Sequence, residues 1–250
     1  MKTIFLFDVD GTLTPAKSTI DPAFKKTFYD WCQQHEFYIV SGGSFERIIS
    51  QLGRPIISEA AGIFACMANA YYENITGDTW QLKYNNKFEP ANKQKLFDIL
   101  DRIVKDSSFH IKTGRHYEER TGMLNFSIVG RNASMEQRKV YQEHEAKTKE
   151  RVSIIEMLSP YYPELEFVVG GAVSIDIFNT GNDKSQVISK VLHAEIETKR
   201  IVFVGDRVDF PGNDYSLAKI LEEHPNGMVF GVEDWRDTED LLLNDVFASG

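Results

Sequence analysis

A chain of 250 residues, 42% of them hydrophobic, is long enough to bury a sizeable core without help from metals or disulfides, as one large domain or as a core carrying an inserted second unit. A formal charge of −9 speaks against a general nucleic-acid binder, which presents a basic face, yet a local arginine cluster can reverse the field within one cleft. The two cysteines, Cys32 and Cys66, lack CxxC or Cys/His spacing, and no stretch has the length of a membrane span or the make-up of a secretion signal, so the reading is of a cytoplasmic protein with free thiols and no membrane partner.

In chain order, residues 3–9 form an apolar strand that stops at aspartate, residues 22–34 a helix, and residues 37–40 a second short strand ending at Ser41. Helical spacing returns at 92–104. A strand at 124–129, one long charged helix from Ser134 to about Leu158, and paired strands at 166–169 and 173–178 follow. The last third opens with a helix at 184–193 and a strand at 201–204 ending at Asp206. Strand–helix–strand alternation at both ends implies a parallel α/β sheet, whereas the middle reads as an α+β layer. The expected organisation is a core of residues 1–84 and 184–250 interrupted by a cap at 85–183, with polar and glycine-containing hinges at Tyr84-Asn85-Asn86-Lys87 and Asn179-Thr180-Gly181-Asn182.

Parallel sheets of this kind bind ligands at the carboxyl ends of their strands, and Asp8, Ser41 and Asp206 all stand there. Asp8 and Asp10 are two apart and point to one side, before Gly11 turns the chain away. Two carboxylates at one point suit a divalent cation or a shared proton. An EF-hand loop is excluded, because Gly11 comes two residues too early and Thr19 occupies the place of the bidentate glutamate.

The combination of Phe7-Asp8-Val9-Asp10-Gly11-Thr12-Leu13-Thr14, Val40-Ser41-Gly42-Gly43, Asp183-Lys184 and Gly205-Asp206 with Gly212-Asn213-Asp214 resembles the haloacid dehalogenase (HAD) superfamily of phosphotransferases. That resemblance implies a Rossmannoid parallel-sheet core with an inserted α+β cap. It also implies that Asp8 is a nucleophile forming an aspartyl-phosphate and Asp10 the acid and base, with Mg2+ held by Asp8, the Asp10 carbonyl and Asp206. Lys184 would neutralise Asp8 and the phosphoryl group, Ser41 would bind a phosphate oxygen, and Asn213 and Asp214 would support the metal site.

Within the middle segment, Arg120-Thr121-Gly122-Met123-Leu124-Asn125, then Gly130-Arg131, Glu136-Gln137-Arg138 and Gly170-Gly171-Ala172-Val173-Ser174-Ile175-Asp176, resembles the cap of eukaryotic-type phosphomannomutases. The resemblance implies that Arg120, Arg131 and Arg138 bind the phosphate not being transferred and that Ser174 and Asp176 bind sugar hydroxyls. It further implies a hexose phosphate substrate, a hexose 1,6-bisphosphate activator and a homodimer formed through the caps. The sequence departs from that pattern at Lys17, a position that the resemblance makes substrate-binding and where the family has arginine, at Ala68-Asn69-Ala70 for Glu-Asn-Gly, at Asn182 for tryptophan, and in a fourth loop that loses a glycine and gains Asp209. Those departures leave a sugar-phosphate phosphatase as the alternative activity, and a non-catalytic sugar-phosphate or metal binder as the alternative of another class.

Overall fold

The computed structural model describes residues 2–16 and 18–244; Lys17, one of the expected substrate contacts, lies outside the described residues. Strand β1 (Thr3–Phe7) is apolar throughout, and its alternate residues serve two separate layers. Phe5 and Phe7 pack among Phe24 and Phe28 of α1 (Pro22–Cys32), Ile48 and Leu52 of α2 (Phe45–Leu52) and Ile56 and Ile57 of α3 (Arg54–Glu59). Ile4 and Leu6 face the other way, toward Val187, Leu192 and Leu217. A strand covered on both faces needs this unbroken apolar run. Complete burial of Phe7 and Phe28 stabilises by roughly 1.5–3 kcal/mol apiece.

Beside β1 run β2 (Glu36–Val40) and β3 (Gly62–Ala65) on one side and β10 (Arg200–Gly205) and β11 (Gly227–Gly231) on the other, all parallel. Two antiparallel strands, β4 (Ala70–Thr76) and β5 (Thr79–Asn85), extend the β3 edge to give the order β11-β10-β1-β2-β3-β4-β5. Helices α7 (Tyr215–Glu222) and α8 (Trp235–Leu243) cover opposite faces near the C-terminal half.

The second sheet is antiparallel, in the order β6 (Tyr117–Arg120), β7 (Met123–Phe126), β9 (Ser174–Asn179), β8 (Leu165–Gly170). Helices α4 (Lys93–Asp106), α5 (Met135–Thr148) and α6 (Glu150–Leu158) close its apolar face with Leu96, Leu100, Tyr141 and Ile154. This layer meets the C-terminal ends of the parallel strands: the Val169 amide donates to the Pro211 carbonyl at 2.8 Å, and Arg120 reaches the Gly42 carbonyl at 2.6 Å.

Three expected elements differ. The long helix from Ser134 is two helices, because Lys149 adopts a left-handed backbone (φ 54°, ψ 34°) that ends α5 and starts α6. The stretch expected as a strand at 124–129 pairs only as far as Phe126, after which Gly130 turns at φ +84° with no room for a side chain beside the Thr113 carbonyl. The expected helix at 184–193 contains a wide π-helical segment, Val187–Leu192, a form common at functional sites.

Candidate active site

Strand β1 ends at Phe7, and the Asp8 amide still donates to the Val204 carbonyl of β10 at 3.0 Å, so Asp8 is held in sheet register. Gly11 then adopts φ +98°, and a Cβ there would sit 2.5 Å from Asp206 Oδ2. Glycine is therefore what allows the first acidic turn to approach the Asp206 loop. The carboxylates of Asp8, Asp206 and Asp214 each bring an oxygen within 4.8 Å of the others.

One fully buried cation answers these acids. Lys184 Nζ donates to Asp8 Oδ1 at 2.7 Å, to Asp214 Oδ1 at 2.5 Å and to the Val40 carbonyl at 3.2 Å. Burial raises the Asp8 carboxyl well above the ordinary range; Lys184 works against this, while Asp214 and Asp206 reinforce it. Burial likewise lifts the Asp206 carboxyl to about 7, helped by Asp214 and opposed by Arg207 and Lys184. Burial would lower the Lys184 ammonium, but Asp214 and Asp8 outweigh it and raise it above the normal lysine range. Asp214 has both oxygens engaged, Oδ1 by Lys184 and Oδ2 by the Arg207 amide at 3.0 Å, and it stands behind the cavity wall. Asp8 and Asp206 are on that wall, with Asn213 beside them.

Asp10 is held differently. Its Oδ2 accepts from Arg47 Nη2 at 2.6 Å and its Oδ1 from Gln51 Nε2 at 2.8 Å. Gln51 also donates to Thr14 Oγ1 and the Ser18 carbonyl, so it braces the whole acidic turn. Neither Arg47 nor Gln51 was singled out from the sequence. Their i, i+4 spacing one turn beyond Ser41-Gly42-Gly43-Ser44 was the available signal, since it stacks both on one side of α2 near the strand ends. Ser44 caps that helix, accepting from the Arg47 amide at 3.4 Å, and Ser41 Oγ accepts from the Gly43 amide at 3.1 Å, leaving its proton to donate into the cavity.

Across a cavity of about 580 Å³ stand the arginines of the second sheet and α5. Arg120 Nη2 donates to Glu118 Oε2 at 2.8 Å, and Arg131 donates to the same oxygen and to Asn125 Oδ1. Asn125 Nδ2 in turn donates to Asp176 Oδ1 at 2.6 Å, so Arg131 and Asp176 are placed by one shared amide. Burial, then Arg120, pushes the Arg131 guanidinium down to about 10, with Arg47 and Arg138 adding repulsion against Glu118. Arg138 donates to the Ala133 carbonyl at 3.0 Å and the Arg131 carbonyl at 3.3 Å. Ser174 Oγ donates to the Gly170 carbonyl at 3.1 Å, and a Cβ at Gly170 would lie 2.3 Å from Asp176 Oδ2. Arg151, also missed, braces this turn by donating to the Gly170, Gly171 and Ser174 carbonyls. Apart from Lys17, the structure brings every expected site residue to this cavity or, for Lys184 and Asp214, directly behind it.

A parallel α/β sheet whose strand ends gather a buried lysine and acidic turns, beneath an antiparallel layer, defines the haloacid dehalogenase class. A haloacid dehalogenase-like hydrolase from Bacteroides thetaiotaomicron superposes over 98% of this chain and all of its own, with a TM-score of 0.61 at 12% identity. Within that class, the chain belongs to the eukaryotic phosphomannomutase family, whose family model matches residues 24–249. Phosphomannomutase 2 of Dictyostelium discoideum is 30% identical over 98% of this chain and 96% of its own, and phosphomannomutase 1 of the same organism is 32% identical over 86% of each.

Proposed function

We propose that the chain is a magnesium-dependent phosphomannomutase, interconverting mannose 6-phosphate and mannose 1-phosphate with a hexose 1,6-bisphosphate as activator. The observation that carries this reading is one cavity with two unlike ends: Asp8, Asp10 and Asp206 at one, Arg120, Arg131 and Arg138 at the other. A hydrolase needs only the first. A bisphosphate has one group for each.

In this reading an Asp8 carboxylate oxygen attacks phosphorus, the bond to the sugar oxygen breaks, and Asp10 supplies that oxygen with a proton. That step charges Asp8 from the bisphosphate. A sugar monophosphate then presents its free hydroxyl, gives that proton to Asp10 and attacks the phosphorus as the bond to Asp8 breaks. The bisphosphate so formed turns over and returns its other phosphoryl group to Asp8 by the first step. Arg47 and Gln51 fix the Asp10 carboxylate for both transfers. Lys184 balances Asp8 as charge builds, and Ser41 donates to a phosphate oxygen. Ser174 and Asp176 orient the sugar from the turn that Arg151 braces.

The donor set fits a divalent cation, because three carboxylates gather within 4.8 Å, Lys184 pairs with two of them and Arg207 with the third, and Asp8 and Asp206 carry oxygens onto the cavity wall. Asp8, Asp206 and the Asp10 carbonyl would hold Mg2+, with Asn213 and Asp214 supporting; bound there, it would offset phosphate charge and keep both carboxyls ionised. Residues 85–183 would act as a cap over a core of 1–84 and 184–250, excluding water from the aspartyl-phosphate. No helix among the described residues is long and apolar enough to cross a membrane, and both cysteines are buried and free, which suits the cytoplasm.

The test is to incubate the protein with mannose 1-phosphate, magnesium and catalytic hexose 1,6-bisphosphate, following both mannose 6-phosphate and inorganic phosphate. Isomerisation far above phosphate release is expected; phosphate release alone would assign a phosphatase. Asp8→Asn should lose on the order of 10⁴-fold or more in turnover while still binding substrate, and full activity in that variant would overturn the covalent route.

A further inference from the structure

Among the described residues, Arg47 is the one cation on the cavity wall that comes from the core side. Its guanidinium is only partly used: Nη2 donates to Asp10 at 2.6 Å and Nε to Gln51 Oε1 at 3.2 Å, which leaves Nη1 without a protein partner among the described residues. The Arg47 side chain is 24% exposed, and its exposed part faces the cavity. Arg47 and Arg138 line the same cavity from the core and from α5, and burial, and next the charge of Arg47, depresses the Arg138 guanidinium. Arg131 feels the same repulsion. Arg47 has Asp10 and Arg131 has Glu118, but among the described residues Arg138 meets only backbone carbonyls, so the three guanidiniums facing one space leave an excess of positive charge that suits an anion.

We propose that Arg47 is a ligand of the second phosphate, contributed from the core, and that its guanidinium ties that phosphate to Asp10. The inference rests on the hexose-phosphate reading above. The planar fork of arginine suits this double duty, since Nη1 and Nη2 can serve phosphate and carboxylate at once. An anion gripped by Arg131 and Arg138 on one side and Arg47 on the other joins the two layers. It also makes the placement of Asp10 depend on whether the second phosphate is present. A monoester lacking that phosphate therefore meets an Asp10 whose partner is also drawn toward no anion, whereas the full substrate completes the set.

The experiment uses the intact protein with magnesium and beryllofluoride, a phosphoryl mimic that caps an aspartate carboxylate and so occupies the transfer site. Mannose 1-phosphate is then titrated by calorimetry, and beryllofluoride uptake is read separately by fluorine NMR. Arg47→Gln should take up beryllofluoride as wild type does and lose about tenfold or more in affinity for mannose 1-phosphate, with Arg47→Lys in between. Mannose 1-phosphate affinity within about threefold of wild type in Arg47→Gln would overturn the proposal. So would loss of beryllofluoride uptake in step with sugar-phosphate binding, which would mark Arg47 as a brace for the acidic turn alone. Wild type that takes up beryllofluoride but does not bind mannose 1-phosphate would instead sink the hexose-phosphate reading itself, and the role of Arg47 with it.

Discussion

The two ends of the cavity are built by different means. Asp8, Ser41 and Asp206 extend from β1, β2 and β10, three neighbouring parallel strands, and the register Phe7↔Val204 and Phe7↔Ile39 fixes where each chain turns out. Their side chains are short, and the supporting lysine is fully buried. Arg120, Arg131 and Arg138 are long side chains on a four-stranded sheet, a loop and a helix, placed by Glu118, Asn125 and backbone carbonyls. One end is set by the backbone, the other by borrowed polar partners. Damage to the first should be close to all-or-none, and damage to the second graded.

The largest effect is expected at Lys184. Lys184→Met keeps most of the volume but strands Asp8 and Asp214 without a cation, a loss of about 3–5 kcal/mol and roughly 10 °C in melting temperature, with turnover abolished. Burial raises the Asp8 carboxyl above its unfolded value, so the stranded acid is tolerated at low pH and costs more as pH rises through its folded pKa. The drop should therefore be larger at pH 8 than at pH 5.5. A melting temperature unchanged at both would show that the acidic end does not depend on its lysine.

Arg131→Gln is the corresponding change at the other end. Losing charged hydrogen bonds of about 1.5–3 kcal/mol should cost about 10- to 100-fold in kcat/KM for a hexose phosphate. Release of phosphate from a small aryl phosphate, which has nothing for the arginines to hold, should stay within about threefold. Equal losses on both substrates would erase the distinction between the two ends.

A smaller effect follows from Asp206. Its carboxyl is lifted to about 7, chiefly by burial. In the proposed magnesium site the ion displaces that proton, so apparent magnesium affinity should fall by up to about tenfold per unit as pH drops below 7 and level off above it. A magnesium titration of activity at several pH values reads this directly, and a flat profile would remove Asp206 from the metal site.

The same contrast explains what was legible in the sequence. Strands β1, β2 and β10 are short apolar runs ending in a chemical residue, so Asp8, Ser41 and Asp206 could be placed from local pattern with their sheet. Lys184 could be named but not its double pairing, because Asp214 is thirty residues away and only the fold brings it near. Arg47, Gln51 and Arg151 went unassigned since a polar residue on a helix reads as solvent-facing until the opposing layer is known. Strands β3 to β6 and β11 were also unread. In β4 and β5, Glu73, Asn74, Gln81 and Lys83 break the apolar pattern because the hairpin is an exposed edge.

Lys149 shows most clearly how the second layer hides its breaks. Residues 134–158 have uninterrupted charged helical composition, with no glycine or proline before Pro160, and nothing local announces an end near 148. The break is imposed from outside: Glu145 accepts from the Arg151 amide at 3.1 Å and pairs with its guanidinium, which turns Arg151 toward the Gly170-Gly171 carbonyls. Keeping α5 straight would carry Arg151 away from the turn that presents Ser174 and Asp176. A lysine in left-handed backbone bears a strain of about 1–2 kcal/mol that glycine lacks, partly offset by the greater unfolded-state freedom of glycine, about 0.5–1 kcal/mol. Lys149→Gly should thus stabilise the protein by a few tenths to about 1 kcal/mol, measured by urea unfolding, and leave turnover unchanged. Destabilisation would mean that the lysine side chain holds the break.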